Sequence, residues 1–543
     1  MRRVAAIFLM ALCLIGAGNA AGPKTSVEIS PRALQAHTVF LADDLLEGRG
    51  TGTRGHAIAA NYVASQFQAG GVEPGGENGG WFQMVPLIEA SPLETSSKVV
   101  VTTPSGPRTF SHLEQAIVYT NPDAASGSVE GPVVFAGYGL DASAAGVNDY
   151  AGLDVRGKIV AVLMGFPSNM PGVVGAHLNS IKAETAKAHG AAGLLLIATP
   201  ASLPSSPWER AVLNAKVQPG AYWQGVSKFR HTVAARSRLS AAAAEALFEG
   251  APTPLSTIMN LTETGAPIRG FELASRARIE RRGTHRSTSS AQVLGIVRGS
   301  DLKLKDEAVL VMAHIDHLGM DPVGDGDSIF NGANDNAVGV AMLIEIARKF
   351  AETKMRPRRS ILFVATTAEE RGFAGSDYLA HNPVIPVDKI VAATSVDAPG
   401  IGHDFTDLIA FGEQHSDLGQ TVRSVARAMG IDVSPDPVPE ASVFTRTDQY
   451  FFAQRGVPAI FLATGRANGG EQAFTHYRDH RYHRPTDDMS QVFDWAAGAR
   501  FAEFEYRLIR RLADAQERPR WYSGDFLGDT FAPNSKRAPP VQR

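Results

Sequence analysis

Residues 360–376 read SILFVATTAEERGFAGS, an apolar run that passes into a polar turn carrying two adjacent carboxylates, Glu369 and Glu370. Ile361, Leu362, Phe363, Val364 and Ala365 show no polar alternation, which predicts a strand covered on both faces. Similar runs alternate with helical patterns through the C-terminal half: QVLGIV, AVLVMA, a helix over 336–350, SILFVA, a helix near 375, IVAATSV, a helix over 417–429 and VPAIFL. That alternation predicts an α/β domain with a mixed, mostly parallel sheet and helices on both faces. In an open sheet of this kind ligands bind beyond the carboxyl ends of the strands, so the residues just after each run are the candidates for chemistry.

Those residues are of one kind. His314, Asp316 and His317 come after VLVMA, Glu369 and Glu370 after ILFVA, and Asp397 after IVAATSV. Between the first two, NGANDNAVG (331–339) sets Asp335 at the start of a helix whose Met342, Leu343, Ile346 and Phe350 share one face. RYHRPTDD (481–488) places His483 in a late loop. Histidines and carboxylates converging on one sheet edge make a mixed nitrogen and oxygen donor set for a divalent metal, with zinc as the default. The spacing does not decide between one ion and two. Neighbouring side chains point in different directions, so Glu369 and Glu370 suit different roles. Serine chemistry has no support, because neither a G-x-S-x-G elbow nor an H-E-x-x-H helix is present.

The rest of the chain bounds this reading. Its 543 residues suggest two or three domains, and a net charge of -3 with no long basic run argues against a nucleic-acid partner. Residues 1–21 have the pattern of a secretory signal: Arg2 and Arg3, an apolar stretch from Val4 to Ile15, then small residues. The stretch is too short to span a bilayer, so no stable membrane anchor is expected after cleavage, and the product is expected to be periplasmic or extracellular. Cys13, the single cysteine, lies inside that signal. Residues 22–115 are expected to begin the main domain. Within them Gly50, Gly52 and Gly55 have G-x-G-x-x-G spacing, but DDLLEGR is no strand, which favours a glycine-rich loop capping a helix over a dinucleotide site. Residues 116–265 change to short β-like runs and read as an inserted β-rich module, 266–520 as the main domain, and 521–543, rich in Pro, Gly and charge, as a loosely held tail.

AHIDHLG (313–319), NGANDNAVG, TTAEERGFAGS (366–376), SVDAPG (395–400), RTDQYFFAQRGVPA (446–459) and YHRPTDD (482–488) together resemble the co-catalytic zinc aminopeptidases of peptidase family M28. NDYAGLDVRGKIVAVLMGFP (148–167) is similar to the protease-associated (PA) domain inserted in one subgroup, and DDLLEGRGTGTRG to that subgroup's N-terminal segment. The resemblance implies the zinc-exopeptidase fold and two zinc ions bridged by Asp335, one adding His314 and Asp397, the other Glu370 and His483. It implies Glu369 as general base, Asp316 as the carboxylate that orients the metal-bound imidazole, and a cis peptide between Asp335 and Asn336. Asp448 matches the family's Ser-Asp position, with Thr447 in place of Ser. The implied function is an exported zinc exopeptidase acting on peptides, read as an aminopeptidase. A carboxypeptidase of the same fold, a glutaminyl cyclase and a non-catalytic receptor are the alternatives. The inserted module holds none of these six metal and base residues and is expected to cap the site and restrict access.

Overall fold

The computed structural model describes residues 28–217, 220–321 and 326–540, so the expected signal over 1–21 lies outside the described residues. Helices α1 (Pro31–Leu41) and α2 (Arg54–Ala69) come first, capped by the side chains of Ser30 and Thr53. The glycine-rich stretch between them is a loop, as its lack of a strand requires. Gly48 sits there at φ +65°, and a Cβ on it would come within 2.3 Å of the Gly319 carbonyl oxygen.

The main sheet is built from β1 (Phe82–Pro92), β2 (Gly283–Val297), β3 (Ala308–His314), β4 (Ser360–Thr366), β5 (Ile390–Ser395), β6 (Asp407–Phe411) and β7 (Ala459–Thr464). Their order is β1-β2-β4-β3-β5-β7-β6, with Gly220–Trp223 added outside β1 and Asp432–Ser434 outside β6. Parallel pairing joins β4, β3, β5 and β7, and also β6 to the last edge, while β1 and β2 pair antiparallel to their neighbours and β6 antiparallel to β7. The sheet is mixed, as expected, but less parallel than the alternation suggested. The reason is that no helix separates β2 from β3 or β5 from β6, so neither connection is a parallel crossover, and the long pair of β1 and β2 adds a further antiparallel pairing.

Strand alternation sorts the core. Val309, Val311, Ile361 and Phe363 pack on one face with α1, α2, α4 (Val338–Glu352) and α8 (Trp495–Asp514). Leu310, Met312, Leu362 and Val364 pack on the other with Phe444, Phe451 and Phe452. Because both faces are covered, every residue of β3 and β4 is buried, which explains the unbroken apolar runs. Met342, Leu343, Ile346 and Phe350 of α4 all join the first core, as their spacing predicts.

A second sheet of eight strands forms the inserted module. It recruits Lys98–Thr103, Gly106–Ser111 and Phe271–Arg281, so the module reaches beyond the 116–265 boundaries at both ends. Conversely, Gly220–Trp223 leaves it to pair with β1. The boundary was invisible in composition because the same extended, β-branched texture continues across both joins. β1 and β2 pair from Phe82↔Val293 to Pro92↔Gly283, so the chain leaves and re-enters the main sheet at adjacent points. Within the module, α3 (Trp208–Val217) sets Leu213 and Val217 against Leu318 and Phe330 of the main domain.

The expected loose tail is a correction. Trp521 is 2% exposed, its indole N–H donates to the Gly456 carbonyl at 2.9 Å, and Leu527 is fully buried in the second core. Two large anchors hold a segment whose average composition looks unstructured. No helix among the described residues is long and apolar enough to cross a membrane.

Glu505, on α8, is buried with neither carboxylate oxygen hydrogen-bonded among the described residues. Burial pushes it up to about 8. Above the unfolded value of ~4.3 the unfolded chain loses this proton while the folded chain keeps it, so folding stability falls as pH rises from there toward 8. Glu505→Gln removes this penalty. It is expected to match wild type near pH 4 and to exceed it by on the order of 5 kcal/mol near pH 8 in urea unfolding. Equal stability at both pH values would show that Glu505 ionises freely in the fold.

Candidate metal centre

Register brings the donors together. His314 ends β3 directly opposite Thr366 at the end of β4, and Met312 pairs with Ser395 of β5. Glu369, Glu370 and Asp397, which lie within a few residues of those ends, therefore reach the same edge as His314. Asp335 lies in a single π-type turn, Ala333–Ala337, that leads into α4, and its peptide to Asn336 is cis. Asn336 donates its side-chain amide to the Val396 carbonyl at 2.8 Å and accepts from the Ala398 N–H at 3.2 Å, which ties the Asp335 turn to the Asp397 loop. His483 sits at φ +56° in its loop, with Tyr482 stacked on its ring at 3.9 Å.

The side chains form two halves joined by one carboxylate. His314 Nε2 is 3.1 Å from Asp335 Oδ1 and 3.3 Å from Asp397 Oδ1. His483 Nε2 is 3.4 Å from Asp335 Oδ2 and 3.1 Å from Glu370 Oε2. None of these five side chains is more than 12% exposed. Glu369 belongs with His314 and Asp397, and its carboxylate makes no hydrogen bond among the described residues. Burial, then the charges of Glu370 and Asp397, push Glu369 well above the ordinary carboxylate range against the pull of His314. Asp335 moves the other way: burial would raise it, but hydrogen bonds to His314 and His483 hold it well below that range.

This arrangement fits divalent cations. Four carboxylates share a nearly dry edge, where like charges repel strongly and burial without compensation is costly. His483 Nε2 is buried and faces Asp335 and Glu370 alone, at 3.4 and 3.1 Å, without a well-directed hydrogen bond to either among the described residues. Asp335 turns one oxygen to each half, the orientation that a carboxylate shared by two ions requires.

The surroundings contain residues to which sequence reasoning gave no role. Arg49 is 1% exposed and donates to the carbonyls of Ile315, Leu41, Asn331 and Gly332. It thereby fastens the His314 and Asp335 loops to the end of α1, and burial lowers it to about 10 against the charges of Asp487 and Asp316. The Asp487 carboxylate accepts the N–H groups of Asn334 at 3.0 Å and Asp335 at 3.1 Å. His317 Nδ1 lies 2.6 Å from Glu370 Oε1 and so fixes that carboxylate from behind. Arg49 stands within DDLLEGRGTGTRG and Asp487 within YHRPTDD, but nothing in a linear pattern announces a hydrogen bond to a distant main chain.

Asp316 differs from expectation. Its main-chain carbonyl, not its carboxylate, meets His314 Nδ1, at 2.9 Å. The carboxylate instead accepts from the Glu369 N–H at 3.2 Å and the Thr51 hydroxyl at 3.0 Å. Asp448 accepts from Thr366 at 2.6 Å, beneath His314.

The centre opens into a cavity of 980 Å³ lined by both modules. Phe411, Phe461, Phe474 and Phe493 give it an apolar wall, and Arg210 and Asn214 reach in from α3. The expected cap is thus present, but it also touches the centre: Asn214 lies 3.1 Å from His483 Nδ1.

Sheet, cap and centre define a two-module α/β protein with a buried histidine-carboxylate cluster at its strand ends. Residues 292–509 match the profile of peptidase family M28 and residues 129–223 that of the PA domain, so the chain carries an M28 peptidase domain with a PA domain ahead of it. A probable zinc metalloprotease of Leptosphaeria maculans is 43% identical over 91 residues, 17% of this chain and 20% of that protein. An inactive zinc metalloprotease of Schizosaccharomyces pombe is 26% identical over 181 residues, 31% of this chain and 22% of that protein. The chain thus spans only about a fifth of the length of each of these curated relatives. Among solved structures, an aminopeptidase from Aneurinibacillus sp. strain AM-1 superposes with a TM-score of 0.52 at 17% identity, covering 90% of this chain and 95% of that one. At that identity the likeness speaks for the fold.

Asp487→Ala leaves two buried main-chain N–H groups without their acceptor, at about 1–3 kcal/mol for each. The urea midpoint of the metal-free protein is expected to fall accordingly. An unchanged midpoint would show that other groups take over both bonds.

Proposed function

We propose that the protein is an exported zinc exopeptidase that removes residues from the amino end of peptides. The observation that carries this reading is the division of Asp335 between two histidine-carboxylate halves, with the free carboxylate of Glu369 beside them. His314 and Asp397 would hold one zinc, His483 and Glu370 the other, and Asp335 both. Zinc bound there would polarise the scissile carbonyl and acidify a water to a pKa of roughly 7.

The chain's own residues account for the remaining steps. Glu369, set by its main-chain bond to Asp316, is the base that takes the proton from water and gives it to the leaving amine. The donor set is complete in this chain, which argues against a non-catalytic receptor even though one curated relative is named inactive. The cap over the centre favours a chain end over a mid-chain segment. Asp436 and Glu440, which also line the cavity, suit the ammonium of a free amino terminus. Export is supported by the signal-like pattern of residues 1–21.

Carboxypeptidase activity is the second reading, favoured by one feature of the cavity. Arg210 and Arg446 line it without a carboxylate partner among the described residues: Arg446 donates to the Tyr482 hydroxyl at 3.1 Å, and Arg210 lies 5.3 Å from the Tyr482 ring centroid. Amine-blocked and carboxyl-blocked peptides separate the two readings, since an aminopeptidase is expected to cleave only those with a free amino end.

Chelation is expected to abolish hydrolysis and added zinc to restore it, and full turnover by metal-free protein would overturn the assignment. Glu369→Gln is expected to lower kcat by at least ~10²-fold with zinc content unchanged. Turnover near wild type would remove Glu369 from the role of base.

A further inference from the structure

We infer that Asn214, carried by α3 of the inserted module, is a positioning residue for His483: its amide oxygen accepts the proton on His483 Nδ1 and fixes Nε2 as the metal-binding nitrogen. The inference rests on the zinc reading above. In a neutral imidazole one nitrogen carries the proton and the other is free to bind. His483 Nε2 faces Asp335 and Glu370, so a cation there leaves the proton on Nδ1, which then needs an acceptor.

Asn214 is the residue placed to supply it. Its Nδ2 lies 3.1 Å and its Oδ1 3.4 Å from Nδ1. The two amide atoms have nearly the same shape, and Asn214 makes no other hydrogen bond among the described residues. A half-turn of the amide therefore brings the oxygen to the shorter distance and disturbs nothing else.

The helix that carries Asn214 is held for this task. Leu213 and Val217 pack on Leu318 and Phe330 of the main domain, and the Arg210 guanidinium donates to the Arg478 carbonyl at 3.2 Å. Arg210 stands one turn before Asn214 and so shares its face. It covers the Tyr482 ring at 5.3 Å, and Tyr482 stacks on His483. Two residues of one module therefore hold a donor of the other, one at Nδ1 and one through Tyr482.

The histidine of the opposite half has no such dependence. His314 Nδ1 meets the Asp316 carbonyl from its own strand end, at 2.9 Å. The two halves are thus unequal: the His314 half is complete within the peptidase domain, whereas the His483 half depends on the inserted module being docked. A partner bound to a metal-ligating imidazole orients the ring, and its loss typically costs 10–100-fold in metal affinity or activity.

The test is zinc competition against a chromophoric chelator on the full chain, comparing wild type, Asn214→Ala, Asn214→Asp, His483→Ala and the Asn214→Ala/His483→Ala double variant. Asn214→Ala is expected to weaken by about 10–100-fold the one zinc that His483→Ala abolishes and to leave the other unchanged. Asn214→Asp, which keeps an acceptor, is expected to bind at least as tightly as wild type. Adding Asn214→Ala to His483→Ala is expected to change nothing further. Unaltered affinities in Asn214→Ala would overturn the proposal, as would an Asp variant no better than Ala, or an equal loss in the His483→Ala background. Failure of wild type to take up zinc at all would instead refute the zinc reading on which this one stands.

Discussion

Mutual repulsion among Asp335, Glu369, Glu370 and Asp397 is the constraint that the rest of the structure answers. Four carboxylates at a nearly dry sheet edge are unfavourable neighbours, and two histidines cannot neutralise them all. The fold accepts this because the charges are held by groups that cannot relax away. Val396 donates its N–H to the Met312 carbonyl at 2.8 Å, Asp487 grips the turn before Asp335, and Asp316 grips the N–H of Glu369. Arg49 supplies a buried positive charge close to Asp335 and Glu370, yet its hydrogen bonds go to carbonyls and not to these carboxylates. The cluster is left with a net demand for cations, which is the property a metal site needs in advance of its metal.

Glu369 and Glu370 show how adjacent positions acquire different chemistry. Glu370 is bound on both sides, by His317 at 2.6 Å and His483 at 3.1 Å, and its pKa falls to about 2 despite burial. Glu369 has no such partners and moves well above the usual range. The sequence places the two side by side. The turn after β4, with Ala368 at φ +55°, sends them to different surroundings. This pair of opposed shifts is the pattern expected when one carboxylate binds and its neighbour moves protons.

The site and the core were legible in the sequence for the same physical reason. Strands buried on both faces must be apolar throughout, so their ends are marked, and the residues just past each end must lie at one edge of the sheet. His314, Glu370 and Asp397 could be read that way, and Asp335 and His483 needed only the neighbouring motifs. Contacts made through the main chain could not be read. Arg49 serves carbonyls from 8 to 283 positions away, and the imidazole of His314 is held by a carbonyl that any residue at position 316 would offer. The module boundaries failed for a related reason: the strands at 98–111 and 271–281 are β-like, but pairing partners, not composition, assign them to the second sheet. Trp521 shows the limit of averages, since one indole anchors a segment whose composition suggests none.

The position of the insertion explains how a cap and a catalytic edge can be coupled without sharing a strand register. β1 and β2 form a continuous antiparallel pair, and the module begins and ends at its tip, so the two joins are neighbours and amount to one point of attachment. A body attached at one point would swing. Further contacts oppose this: Gly220–Trp223 pairs with β1, α3 packs Leu213 and Val217 against Leu318 and Phe330, Val173 joins the second core, and His177 Nδ1 meets the Tyr450 hydroxyl at 2.7 Å. The first two lie in the segment of 208–223 that also carries Arg210 and Asn214. Part of the docking surface and the residues that face the cavity are therefore neighbours in one short stretch, so the module residue that meets His483 is held in place by contacts with the domain that carries His483.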